Sequence, residues 1–164
     1  VTLKVHDNFL NEEQFLFLNS NILHENFPWY FNNYKIYNHS NLIHDFQFTH
    51  TLYNNFQIQS DYFFIVKPIL EKINPISLIR IKLNLTTVFD KIISHPFHTD
   101  VSTNTKTKTG IFYLNTNNGK TIFKNNDEVE SKKNRFVEFP SNLEHAATTH
   151  SNTKTRIVIN LNWV

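Results

Sequence analysis

The segment TRIVINLNWV sets apolar Ile157, Ile159, Leu161 and Trp163 against Arg156, Val158, Asn160 and Asn162 at every second position. Side chains two apart share one face of a strand, so one face here is apolar and the other starts with a guanidinium and carries two amides. Similar alternation begins at SLIRIKLNLTT. It predicts strands near 78–86, 96–101, 109–115, 120–124, 135–139, 145–149 and 155–163, divided by loops of Asn, Thr, Lys and Gly. Short strands at this spacing with no helix between them predict a sandwich or jelly roll.

The first half is mixed. VTLKVHD alternates like a short strand, and NEEQFLFLNSNILHEN has helical spacing, Asn11 as N-cap and two glutamates in its first turn. WYFNNYKIY reads as extended. SDYFFIVKPILEKINP predicts a second helix, with Pro68 at a kink or near an end. The expected class is α+β: a jelly roll with an N-terminal strand and helices packed on one sheet. Without an internal repeat or a low-complexity linker, residues 1–164 read as a single domain, with supporting elements over about 1–76 and a jelly-roll core over about 77–164.

Composition narrows the function. With 2 Gly there is no glycine-rich phosphate loop, and with no Cys there is no thiolate site, disulfide or Cys nucleophile. A net charge of +2 makes a nucleic-acid partner a poor expectation. The start VTLKVHDNFLNEEQ shows no signal-peptide pattern, and the run YFFIV breaks at Lys67 and Pro68. A soluble cytoplasmic protein without a membrane segment is the expectation.

Candidate chemistry centres on SHPFHTD. In a strand, His98 and Asp100 point to one face, and a mononuclear iron site needs two imidazoles and a carboxylate on one face. His145, after the turn in FPSNLEHAATT, is the best second imidazole. His6, His24, His39, His44, His50, His95 and His150 read as surface or loop residues. An Arg on an inner strand face is costly unless it meets an anion, which marks Arg156; Tyr113, in phase with Ile111 and Asn115, is placed to reach the same anion. Asn84 shares a face with Arg80, Lys82 and Thr86. Trp29, Tyr30 and Tyr53, with DFQFTHTLYNN, are candidates for a substrate lid, although ordinary packing is the stronger reading. Two other readings stand beside a metal enzyme that binds an anion. One is a non-catalytic jelly-roll binding domain, and the other a cupin-type metal enzyme that leaves Arg156 and Tyr113 without a shared ligand.

His98-x-Asp100, the distal His145 and Arg156 together resemble the 2-oxoglutarate and Fe(II)-dependent oxygenase superfamily. GIFYLNTNNGKTIF, NRFVEFPSNLEHAATT and VHDNFLNEEQ are similar to its prolyl-hydroxylase-like branch, as found in small bacterial and phage-type members. The resemblance covers the whole chain and is strongest from residue 78 onward. It implies Fe(II) on His98, Asp100 and His145, with 2-oxoglutarate and O2 as cosubstrates and ascorbate as a possible reductant. It also implies that Arg156 and Tyr113 hold the distal carboxylate of 2-oxoglutarate. Asn84 stands where that branch often has a Tyr, and Asn160 would steer the ligands. The implied reaction hydroxylates a protein or peptide residue such as proline, or a small molecule, and releases succinate and CO2. Asp100 separates the chain from the halogenating branch, which has Ala or Gly there. Asn162, where the base-demethylating branch has a second Arg, argues against nucleic-acid bases. Substrate identity and oligomeric state stay open.

Overall fold

The computed structural model describes residues 3–36, 42–100 and 106–164. A large antiparallel sheet takes the order β1-β9-β6-β11-β5-β3-β2 and a small one the order β10-β7-β8. The strands of the large sheet are β1 (Lys4–His6), β2 (Tyr30–Asn32), β3 (Gln47–Asn54), β4 (Gln57–Ile58, paired to β3), β5 (Leu78–Thr87), β6 (Lys108–Tyr113), β9 (Arg135–Pro140) and β11 (Thr155–Trp163). The small sheet holds β7 (Lys120–Phe123), β8 (Glu128–Glu130) and β10 (His145–Ala147). This is the expected jelly-roll class, without a closed barrel.

The alternation of β11 divides two cores. Ile157, Ile159, Leu161 and Trp163 pack with Ile81, Leu83 and the helices, whereas Val158 joins Ile111, Val137, Phe139, Phe123 and Val129 between the sheets. Fully burying one such side chain is worth about 1.5–3 kcal/mol, so both faces of the central strands are committed. Gly110 is there for space: a Cβ would sit 2.4 Å from Phe136 and 2.8 Å from Trp163.

Helix α1 (Glu12–Ile22) starts at Asn11, whose side chain accepts from the Gln14 amide at 2.8 Å while Gln14 returns the bond, a complete capping box. It buries Phe15, Leu18 and Ile22 on the outer face of the large sheet. The second predicted helix divides into a 3-10 segment, Asp61–Val66, and α2 (Lys67–Ile73), with Pro68 in the first turn of α2. There its missing N–H costs nothing. With glycine scarce, Asn8, Asn55, Asn74, Asn126 and Asn134 take the left-handed backbone at turns.

The packing reading of DFQFTHTLYNN holds over the lid: residues 47–54 form β3, hydrogen-bonded to β5, and Trp29 and Tyr53 pack against the core. Three expectations change. The 96–101 strand is reduced to isolated bridges, Ser94 with Thr148 and His98 with His145, and Val101 lies outside the described residues. β8 was not anticipated, because three residues, EVE, are too short to show a period. His50, His95 and His150 are buried rather than superficial. His50 bonds the Pro28 carbonyl and the Ser60 hydroxyl, each at 2.6 Å, a structural staple. His39 lies outside the described residues. Among those residues, no helix is long and apolar enough to cross a membrane.

Candidate metal centre and anion pocket

Pairing between the bridge segment and the start of β10 brings two distant imidazoles together. His98 and His145 exchange backbone N–H···O bonds at 3.0 Å in each direction, and their ring centroids lie 4.7 Å apart. Asp100 Oδ1 is 3.7 Å from His98 Nε2, and Asp100 Oδ2 is 3.7 Å from His145 Nε2. All three ligand atoms fall within 4.8 Å of one another. His145 Nδ1 donates to the Leu143 carbonyl at 3.1 Å, which leaves Nε2 as the free lone pair facing Asp100.

Two residues that sequence reasoning left without a role hold Asp100. Arg80 Nη2 lies 3.2 Å from Asp100 Oδ1, and Asn162 Nδ2 donates to Oδ2 at 3.4 Å. Arg80 Nε in turn donates to Asn162 Oδ1 at 3.2 Å, and Thr109 Oγ1 accepts from Asn162 at 3.0 Å. Burial acts to raise the Asp100 carboxyl, but the adjacent His98 and His145 imidazoles and the Arg80 guanidinium outweigh it. Its pKa lies well below the usual carboxylate range. Burial pushes the His145 imidazole below its ordinary value, against the pull of Asp100, so the ring is neutral near pH 7. A neutral imidazole beside an ionised carboxylate is the protonation state that a divalent metal requires.

A cavity of about 440 Å³ opens from this cluster between the sheets. At its other end Arg156 is 5% exposed. Its Nε donates to Ser131 Oγ at 2.8 Å, its Nη2 lies 3.4 Å from Thr121 Oγ1, and its Cζ sits 5.7 Å from the Tyr113 ring centre. No carboxylate forms an ion pair with it among the described residues. A well-made hydrogen bond to a charged group returns about 1.5–3 kcal/mol. Desolvating the guanidinium costs several kcal/mol, so two hydroxyls leave it under-compensated. Tyr113 is fully buried, and burial raises its phenol pKa despite Arg156 nearby, so it keeps its proton and donates to Thr121 at 2.7 Å. Gly119 makes room for the arginine stem, since a Cβ there would approach Arg156 Cδ to 3.0 Å.

Between the two ends, β5 turns Arg80, Lys82, Asn84 and Thr86 into the cavity, and Asn160 faces them from β11. The side-chain oxygens of Asn84, Thr86 and Asn160 are buried and have no partner among the described residues. Buried polar atoms rarely stay unsatisfied, and three in one cavity mark a place where a polar ligand belongs. Lys35 and His95 line the same cavity, Nζ to Nε2 at 2.9 Å. A lysine ammonium only donates, so His95 accepts there as a neutral ring.

Solved structures share this architecture. A prolyl hydroxylase from Trichoplax adhaerens, in complex with a hypoxia inducible factor oxygen degradation domain peptide fragment, aligns with a TM-score of 0.70 and 14% identity, covering 98% of this chain and 82% of that one. The fold is that of the 2-oxoglutarate oxygenases. The non-haem alpha ketoglutarate dependent epimerase SnoN from nogalamycin biosynthesis has the same oxygenase fold, with a TM-score of 0.68 and 11% identity over 99% of this chain and 76% of that one. A Pseudomonas putida prolyl-4-hydroxylase aligns at 0.61 and 11% identity over 98% and 90%. The chain matches no family model and no curated protein sequence.

Proposed function

We propose that this protein is an Fe(II)- and 2-oxoglutarate-dependent dioxygenase that hydroxylates a small molecule or a peptide residue. One observation carries the reading: a two-imidazole, one-carboxylate cluster and an under-compensated buried Arg156 share a single cavity. The oxygenase fold supports it. A jelly-roll binding domain gives no reason to bury Arg156, and a metal enzyme without 2-oxoglutarate leaves it without an anion.

On this reading His98, Asp100 and His145 hold Fe(II), and the donor set fits: neutral nitrogen and anionic oxygen donors on one side, with the cavity on the other. When bound, iron with 2-oxoglutarate and O2 supplies the oxidising chemistry, for an overall balance R–H + 2-oxoglutarate + O2 → R–OH + succinate + CO2. The chain's own groups bind and orient. Arg156 receives the distal carboxylate of 2-oxoglutarate, and Tyr113 turns its O–H from Thr121 to that carboxylate. Thr86, opposite Arg156 in the β5–β11 register, donates its unpartnered hydroxyl in the same region, and Asn84 offers the cosubstrate its amide N–H. Arg80 and Asn162 fix the rotamer of Asp100 and hold it ionised. Residues 1–164 act as one domain, because the sheet that carries Arg156 and Arg80 runs unbroken from β1 to β2.

The test is a visible absorption scan of the protein mixed anaerobically with Fe(II) and 2-oxoglutarate. A charge-transfer band from the chelated keto acid is expected, and His98→Ala should remove it. Iron binding without a band would favour a metal enzyme that uses no 2-oxoglutarate. Absence of iron binding would leave a binding module.

A further inference from the structure

We infer that the cavity contains a second anion site, built on Lys82, and that the molecule hydroxylated is a small carboxylic acid whose carboxylate that lysine binds. The inference rests on the proposed assignment of Arg156 to 2-oxoglutarate.

The four cations that line the cavity differ in what they meet. Arg80 is paired with Asp100. Lys35 donates to the His44 carbonyl at 3.0 Å and to His95. Arg156 is reserved for the cosubstrate. Lys82, pointing inward from β5, meets no hydrogen-bond acceptor among the described residues. Among the described residues Asp100 is the one lining carboxylate, already paired with Arg80 and faced by His98 and His145, and Asp45 lies behind Lys35. Four lysine and arginine side chains against these two carboxylates leave an excess of positive charge that a single distal carboxylate does not balance. Burial lowers the Lys82 ammonium pKa, with Arg80 adding to the shift and Asp100 only partly opposing it, so the charged form is under-compensated in the free protein.

Position separates the two anion sites. Arg156 stands opposite Thr86, whereas Lys82 stands opposite Asn160 on β11 and Thr51 on β3. Thr86 and Lys82 are about 13 Å apart along the strand at roughly 3.3 Å per residue. Lys82 is therefore on the metal side of the cavity, one inward position from Arg80. A substrate carboxylate there would accept from the ammonium and from the Thr51 hydroxyl. The unpartnered Asn160 oxygen would accept an N–H or O–H from the same molecule. One ammonium flanked by one hydroxyl and one amide suits a carboxylate monoanion. A phosphate has more oxygens to satisfy and is met elsewhere by clustered backbone N–H groups or arginines, and this cavity has no glycine-rich loop.

The test uses the full chain loaded anaerobically with Fe(II) and 2-oxoglutarate. Each free L-amino acid is added beside its own carboxamide, and orthophosphate is added separately. The readouts are the shift of the visible band and, after oxygen is admitted, the succinate formed. At least one free acid should shift the band and speed succinate formation tenfold or more, and its carboxamide should bind at least tenfold more weakly. Lys82→Met should keep the 2-oxoglutarate band and lose the response to the acid, and Lys82→Arg should restore part of it. Thermal melting of each variant checks that it folds. Equal binding of acid and carboxamide, a response to orthophosphate alone, or silence from every free acid would overturn the inference. So would loss of the band itself in Lys82→Met, which would place the lysine on the cosubstrate. A wild-type protein without any band would instead remove the proposed function beneath it.

Discussion

The two ends of the cavity are built on opposite electrostatic plans. At the metal end, the buried carboxylate is fully engaged by the protein: Asp100 is gripped by Arg80 and Asn162 and faced by two imidazoles. At the far end, Arg156 is as deeply buried yet meets hydroxyls and a ring face in place of a counter-ion. The first end is pre-organised and tolerates the free state. The second stores an unfavourable desolvation that a bound anion relieves, so binding energy is concentrated where the chain alone is least content.

The comparison breaks most completely at the metal end. Asp100→Ala, or either His98→Ala or His145→Ala, is expected to reduce hydroxylation below detection, with iron binding measured by metal analysis after dialysis. Asp100→Ala should also destabilise the metal-free protein, because Arg80 loses its counter-ion. Arg156→Met should act in the reverse sense. It should weaken 2-oxoglutarate binding on the order of 100-fold or more, as expected for truncating one partner of a buried charge pair. Iron should still bind, and the ligand-free protein should be about 1–4 kcal/mol more stable by chemical denaturation, since an uncompensated buried charge has gone. A less stable ligand-free variant would contradict the contrast drawn between the two ends.

Asn162→Ala should lower iron affinity by about 10–100-fold through misdirection of Asp100, without a change in the spectrum of the saturated complex. Tyr113→Phe removes one hydrogen bond to the distal carboxylate and should raise the apparent Kd for 2-oxoglutarate several-fold, about 1 kcal/mol. Metal-free stability supplies the most specific readout. Burial first, then the Lys35 charge, hold His95 at about 4 in the folded protein against an ordinary 6.5. The unfolded chain binds the proton more readily, so acid favours unfolding. This contribution is fully present above about pH 6.5 and is lost as the pH falls towards about 4, at most roughly 3 kcal/mol. His95→Gln should flatten that slope in urea titrations, and an unchanged slope would assign it to the other buried imidazoles.

Much of this site is visible in local sequence pattern. The period of two in β11 places Arg156, Asn160 and Asn162 on one face, and the same period places Arg80, Lys82, Asn84 and Thr86 on the inner face of β5. The spacing of His98 and Asp100 suggested a shared ligand set even though the segment forms bridges rather than a strand, because one residue between them keeps both side chains on the same side. Asn11 announced its helix because capping is a contact over three residues.

What stayed hidden depended on register. Nothing local to Arg80 or Asn162 says that they meet. They do so because β5 and β11 pair antiparallel with Asn162 opposite Arg80, across 82 residues of chain. His95 reads as a loop histidine until Lys35, 60 residues earlier, is brought within 2.9 Å of it. DFQFTHTLYNN shows no sign in its own residues that it pairs with β5, 25 residues or more further along the chain.

The sequence by itself determined which residues face inward, where the helices start and which side chains are able to hold a metal, because those properties follow from backbone periodicity and side-chain chemistry. The tertiary structure alone decided which charges are compensated, because compensation is set by distances across strand pairs, and those distances exist only after the sheets have formed.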